Sequence, residues 1–181
     1  EVAGIANRTD YDLKAHSSAT NSNLSYFNES EKKHFIPYVI EPTFGLDRII
    51  FMLLVDAYSS EEIPTSSNKI EQRILLKFNP VISPIKIAIL PLSKNDNLIK
   101  IAHEIYNNLV SSNNIIGRIE YDDTQSIGKR YRRQDEIGTP FCITIDFQSI
   151  EDQTVTIRTR DSMDQIRSPI ESLIKTLQEK L

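Results

Sequence analysis

The feature that most narrows the fold lies in the second half of the chain. Ile85-Lys86-Ile87-Ala88-Ile89-Leu90 is an apolar run of strand length, after which Leu98, Ile101, Ala102, Ile105 and Leu109 repeat at helical spacing. Arg118 to Tyr121 reads as the next strand. A strand, a helix and a strand joined this closely imply a right-handed parallel crossover, so this half is α/β. Ser126 to Ile137 predicts a second helix, closed by Gly138 with Pro140 beyond it. Phe141 to Phe147 and Thr154 to Arg160 predict strands forming a hairpin around Ile150-Glu151-Asp152-Gln153. Ser162-Met163-Asp164-Gln165 has capping-box spacing and predicts another helix, which would carry Arg167. Ser168-Pro169-Ile170-Glu171 predicts the start of a separate helix, with Ile170, Leu173, Ile174, Leu177 and Leu181 on its inner face.

The first half is less regular. Glu1 to Ala6 reads as a buried strand, and Thr9, Asp10 and Asp12 as caps of the turn that follows. Residues 17–34 are rich in Ser, Asn, Glu and Lys and read as a surface excursion. Phe35 to Ile40 reads as a strand around Pro37, and Ile49 to Tyr58 as a helix. Residues 59–72 lose apolar periodicity and read as linker-like; Arg73 to Phe78 predicts one more strand. The expected organisation is therefore 1–58, a connecting segment and strand at 59–80, and an α/β domain at 81–181.

Polar chemistry concentrates between Glu41 and Arg48. Gly45 offers permissive backbone, and Arg48 falls in the first turn of a helix, where the macrodipole disfavours a cation unless an anion sits there. This outlines a phosphate site. Glu41, at the end of an apolar strand, calls for a cation such as an ammonium group. The competing reading is that Glu41 and Arg48 pair with each other or with neighbours and only staple strand to helix.

Composition removes several classes. One cysteine, Cys142, excludes an internal disulfide framework, fits a reducing compartment and reads as a buried small hydrophobe. No apolar run approaches the roughly 18 residues that span a bilayer, so a cytoplasmic protein is expected. Three scattered histidines and one cysteine offer no metal-ligand spacing, and no structural metal is expected. A net charge of -4 limits nucleic-acid contact to local patches. One such patch is the helix bearing Lys129, Arg130, Arg132 and Arg133, whose plainer reading is a solvated face with an Arg132–Glu136 pair. Tyr11 and Tyr26 read as packing residues.

The run Glu41-Pro42-Thr43-Phe44-Gly45-Leu46-Asp47-Arg48 resembles the third signature motif of class II aminoacyl-tRNA synthetases, in the Glu-Pro-Ser/Thr form of glycyl-tRNA synthetases. Gly4 to Leu13 and Ser126 to Pro140 resemble the same family, so the resemblance covers nearly the whole chain. It implies the end of a class II synthetase antiparallel catalytic core followed by a mixed-sheet α/β anticodon-binding domain. The implied reactions are attack of glycine on the α-phosphate of ATP to give glycyl-adenylate, then transfer of the glycyl group to tRNA(Gly).

In that scheme Glu1, Val2, Gly45, Leu46, Asp47 and Arg48 bind ATP, with Mg2+ entering alongside it and Glu1 a candidate ligand. Glu41 holds the glycine ammonium, while Pro42, Thr43, Phe44 and Gly45 shape a small pocket; Arg48 and Glu41 carry the catalysis. Lys129, Arg130, Arg132, Arg133, Arg158 and Arg160 form the tRNA surface. The family's first two motifs, which supply much of the homodimer interface, are not found in these residues, and the chain opens at Glu1 without methionine. The expectation is the rear part of a longer polypeptide, inactive alone. The alternative is a non-catalytic synthetase-like paralogue that binds nucleic acid or a protein partner. An unrelated nucleotide-binding α/β protein fits least, for want of a Gly-rich phosphate loop.

Overall fold

The computed structural model describes residues 1–64, 70–112, 115 and 117–181, in two compact units, Glu1–Met52 and Leu53–Leu181. The first contains β1 (Ala3–Thr9), α1 (Tyr11–Thr20), β2 (Tyr26–Asn28), β3 (Lys33–Phe35), β4 (Val39–Phe44) and the start of α2 (Leu46–Ala57). β1 and β4 pair antiparallel, with Gly4 opposite Thr43 and Ala6 opposite Glu41; β2 and β3 form a separate hairpin. The strand expected around Pro37 is thus two strands in two sheets, since proline lacks the N–H that a continuous ladder requires. The excursion at 17–34 is the end of α1 and most of that hairpin, where Tyr26 packs edge-on against Phe35 at 5.8 Å. Tyr11, expected to pack, is exposed. No residue of this unit is fully buried, and Ile5, Phe44, Ile50 and Phe51 all show large apolar surface.

The second unit has the core. It comprises β5 (Tyr58–Pro64), β6 (Ile70–Leu76), β7 (Ile85–Pro91), α3 (Asp96–Ser111), β8 (Arg118–Tyr121), α4 (Ile127–Ile137), β9 (Phe141–Ile145), α5 (Phe147–Asp152), β10 (Thr154–Thr159), β11 (Gln165–Pro169) and α6 (Leu173–Gln178). The five-stranded sheet runs β11-β10-β9-β7-β8, parallel across β9, β7 and β8 and antiparallel at β10 and β11. Ile87, Ile89, Ile143, Ile145, Val155 and Ile157 alternate onto one face and bury against Leu98, Ala102, Ile105 and Leu109 of α3 and Leu173 and Leu177 of α6. Each such fully buried aliphatic side chain contributes about 1.5–3 kcal/mol, so hydrophobic burial holds this unit. The predicted stripes of α3 and of the last helix are the ones that pack, and Cys142 lies buried between strand and α4 as expected.

Three expectations are corrected. Residues 59–64, read as linker-like, form β5 and pair with β6 from Tyr58↔Leu76 to Pro64↔Ile70; 65–69 lie outside the described residues. Between β9 and β10 stands the short helix α5, because Asp146 and Ser149 cap each other reciprocally. Ser162-Met163-Asp164-Gln165 opens no helix: Asp164 N–H donates to Ser162 Oγ, Met163 takes a left-handed φ of 60°, and the chain turns back into β11. Arg167 consequently sits on a strand.

Gly138 ends α4 at φ 83°, and a Cβ there would stand 2.6 Å from Phe78 Cδ2 and 2.9 Å from the Leu76 carbonyl oxygen. A left-handed L-residue costs about 1–2 kcal/mol before any clash. Gly138→Ala should therefore lower stability by at least about 2 kcal/mol, read as a fall in the urea midpoint at unchanged m-value.

Candidate functional site

In the first unit β4 hands over to α2 through Gly45 alone, whose N–H donates to the Val2 carbonyl at 2.9 Å. Its permissive backbone is not called upon: φ is not positive, and an added Cβ would only touch the Arg48 side chain at 3.4 Å. The short handover puts Arg48 in the first turn of α2, where its guanidinium donates to the Glu1 carbonyl at 2.5 Å. Among the described residues Arg48 forms no ion pair. A cleft of about 220 Å³ lies beside it, lined by Glu1, Val2, Gly4, Thr43, Phe44 and Gly45 as well.

Five of the predicted nucleotide and glycine residues thus meet Arg48 at one cleft. Leu46 and Asp47 do not line it; they are exposed on the first turn of α2. Glu41 and Pro42 lie outside it too. Glu41 does not pair with Arg48. Its cation is Arg8, whose Nε lies 3.3 Å from Glu41 Oε2 and 2.8 Å from Asp12 Oδ2. The Arg8 hydrogen bond is the main cause of a depressed Asp12 pKa. Asp12 and Asp10 therefore serve ion pairs, to Arg8 and Lys14, rather than the capping expected of them. The sequence did carry a signal for Arg8: its i,i+4 spacing to Asp12, on the strand opposite Glu41.

In the second unit the basic residues separate into two groups. Arg130, Arg158 and Arg160 are 1%, 5% and 2% exposed. Arg130 donates to the carbonyls of Pro91, Asp122 and Leu92, joining the loops after β7 and β8. Arg158 makes a two-pronged contact with the buried Asp135 and lies 4.7 Å over the Tyr131 ring. Arg160 closes the carbonyls of Phe78 and Gly138. These three are structural and offer no surface to RNA, contrary to expectation. Lys129, Arg132 and Arg133 remain accessible. Lys129 is exposed without an ion pair among the described residues, Arg132 pairs with Glu71 rather than Glu136, and Arg133 reaches Asp122 and Thr124. Burial works against the Asp122 carboxylate, but its bonds from Thr124 and Arg133 outweigh it and hold the pKa low. Burial pushes the Cys142 thiol up to about 12, which leaves it unreactive.

A family profile described as anticodon binding domain matches residues 86–180, just over half of the chain. The chain belongs to the anticodon binding domain family. That assignment agrees with the mixed five-stranded α/β sheet, and the matched residues cover the second unit from β7 to α6 but not its β5–β6 hairpin. Glycine–tRNA ligases align with the entire chain: that of Clostridium acetobutylicum is 51% identical over 181 residues, that of Thermobifida fusca 48% and that of Corynebacterium glutamicum 46%. The chain spans 37% of the length of the first of these relatives and 38% of the other two. Among the described residues no helix is long and apolar enough to cross a membrane.

Proposed function

We propose that this chain is the C-terminal part of a glycine–tRNA ligase. Its anticodon-binding domain engages tRNA(Gly), and its first unit contributes to the ATP and glycine sites. The observation that carries the catalytic half is Arg48, a guanidinium without a carboxylate partner among the described residues, at a helix start and lining a cleft. The cleft is smaller than the roughly 300–1,000 Å³ of sites that enclose a whole ligand, which suits one portion of a nucleotide. ATP supplies the activated phosphate when bound; Arg48 orients it, and Glu1, which lines the cleft, would be the carboxylate ligand of the accompanying Mg2+. Glu41, half exposed beside Arg8, takes the glycine ammonium, with Thr43 and Phe44 limiting space. The apolar side chains left exposed on β1, β4 and α2 support completion of this core by further protein and a homodimer, and hence inactivity of the chain alone. A cytoplasmic ligase is the setting this reading implies.

Lys129, Arg132 and Arg133 position the RNA through its phosphates, while bases specify. The test is binding of a tRNA(Gly) anticodon stem-loop, against one of altered anticodon, over a salt series. Selective, salt-sensitive binding is expected. Lys129→Glu with Arg132→Glu should weaken it about tenfold and lower the salt slope by roughly 0.7–0.9 per lost phosphate contact. Equal binding of both loops would favour the non-catalytic paralogue.

A further inference from the structure

β1 breaks register at its one cation. Asn7 stands opposite Ile40 and Thr9 opposite Val39, so Arg8 is the extra residue of a β-bulge. Asn7 Oδ1 accepts from the Thr9 N–H at 3.0 Å, and Thr9 takes a left-handed φ of 54°. A β-branched residue is unfavourable in that region, so the conformation persists because surrounding contacts enforce it. A bulge re-aims a side chain, and this one leaves Arg8 between two carboxylates, Asp12 and Glu41.

The two carboxylates do not share Arg8 equally. Asp12, in the first turn of α1, accepts from Arg8 Nε at 2.8 Å and from Nη2 at 3.0 Å. Glu41 has proximity alone: its Oε2 is 3.3 Å from Arg8 Nε, and no hydrogen bond joins the two among the described residues. Lys14 of α1 is taken by Asp10 at 2.7 Å. Two carboxylates thus surround one guanidinium, and the set keeps one negative charge. An ammonium group arriving at Glu41 makes the set neutral. Without the charge on Asp12, Glu41 would be the one carboxylate left to Arg8, and an ammonium group would have to enter beside a pair that is already neutral. The bond from Arg8 also holds the Asp12 pKa below the ordinary carboxylate value, so its charge is present throughout the neutral range.

We propose that Asp12 is a positioning residue of the glycine site: it holds Arg8 by two hydrogen bonds, so that Glu41 keeps an uncommitted negative charge for the substrate ammonium. The inference rests on the reading above in which Glu41 receives that ammonium. An aspartate in the first turn of a helix also suits the macrodipole, so substrate binding has to be measured apart from helix stability. In a complete ligase bearing this sequence, Asp12→Asn removes the charge and keeps the shape. The Michaelis constant for glycine in ATP–pyrophosphate exchange should rise about tenfold, the scale on which the partner that orients a ligand-binding group acts, with the Michaelis constant for ATP unchanged. Asp12→Glu keeps the charge and should recover most of the loss. A role in the helix alone would lower the thermal midpoint and leave the ratio of the two Michaelis constants where it was. That pattern, or a wild-type Michaelis constant for glycine in Asp12→Asn, would overturn the proposal. Glu41→Gln separates the two layers of the argument. A raised Michaelis constant for glycine in Glu41→Gln with none in Asp12→Asn removes Asp12 alone from the site. No change in either variant withdraws the ammonium role of Glu41 and the inference with it.

Discussion

Asp135→Ala should destabilise the second unit by about 3–5 kcal/mol, the usual cost of breaking a buried ion pair from one side. Asp135 is 1% exposed and receives Arg73 Nε at 2.8 Å and both prongs of Arg158 at 2.8 and 3.0 Å. Removing it leaves two guanidinium groups buried with reduced compensation. Arg73 keeps Glu61 at 3.0 Å and the Arg160 carbonyl, and Arg158 keeps the Tyr131 ring. Burial alone would lower the Arg73 pKa; Asp135 and Glu61 together reverse that and raise it. Urea unfolding reads the loss directly, and a change below about 1 kcal/mol would show that water already screens the cluster. A second arm separates pairing from packing: Asp135→Leu combined with Arg73→Met and Arg158→Met should recover most of the stability, because replacing a whole buried ionic set with apolar residues is often neutral. The triad also has an architectural consequence. Arg73 lies on β6, Asp135 on α4 and Arg158 on β10, so the β5–β6 hairpin is bonded into the anticodon-binding domain rather than linking to it.

The same cluster shows where sequence reading stops. The stripe of Leu98, Ala102, Ile105 and Leu109 was legible because apolar periodicity has one physical meaning, burial of a face, and the structure packs those residues at β7 and β9. Gly138 was legible because a helix end in the left-handed region strongly favours glycine. An arginine carries no such information: Lys129 and Arg130 are adjacent on α4, yet one is exposed and the other buried against three carbonyls. Only tertiary structure brings Pro91, Leu92 and Asp122 to Arg130. Polar strands fail for a related reason. Tyr58 to Pro64 has a Ser-Ser-Glu-Glu centre and no apolar face, so its pairing with β6 depends on ladder hydrogen bonds and on Glu61 meeting Arg73 and Lys77, which local pattern does not encode. At the cleft, the motif wording located Arg48, Thr43, Phe44 and Gly45 together, but not that Glu41 and Pro42 fall outside it.

In a complete ligase bearing this sequence, Arg48→Ala should slow adenylate formation by about 10²–10³-fold, the typical loss when one preorganised electrostatic donor is removed. The argument is positional. A cation in the first turn of α2 opposes the helix dipole, and the neighbouring Asp47 is the residue type that position favours. Arg48 uses one donor on the Glu1 carbonyl, and a guanidinium has five, so most of its fork remains for phosphate oxygens. ATP–pyrophosphate exchange measures the effect, while affinity for the anticodon stem-loop should not change. Arg48→Lys keeps the charge but not the planar fork, and should restore only part of the rate. A purely structural Arg48, pinning Glu1 and nothing else, predicts the opposite pattern: lower thermal stability of the first unit with the Michaelis constant for ATP unchanged. Unaltered exchange in Arg48→Ala would withdraw the residue from the nucleotide site and leave the cleft without its cation.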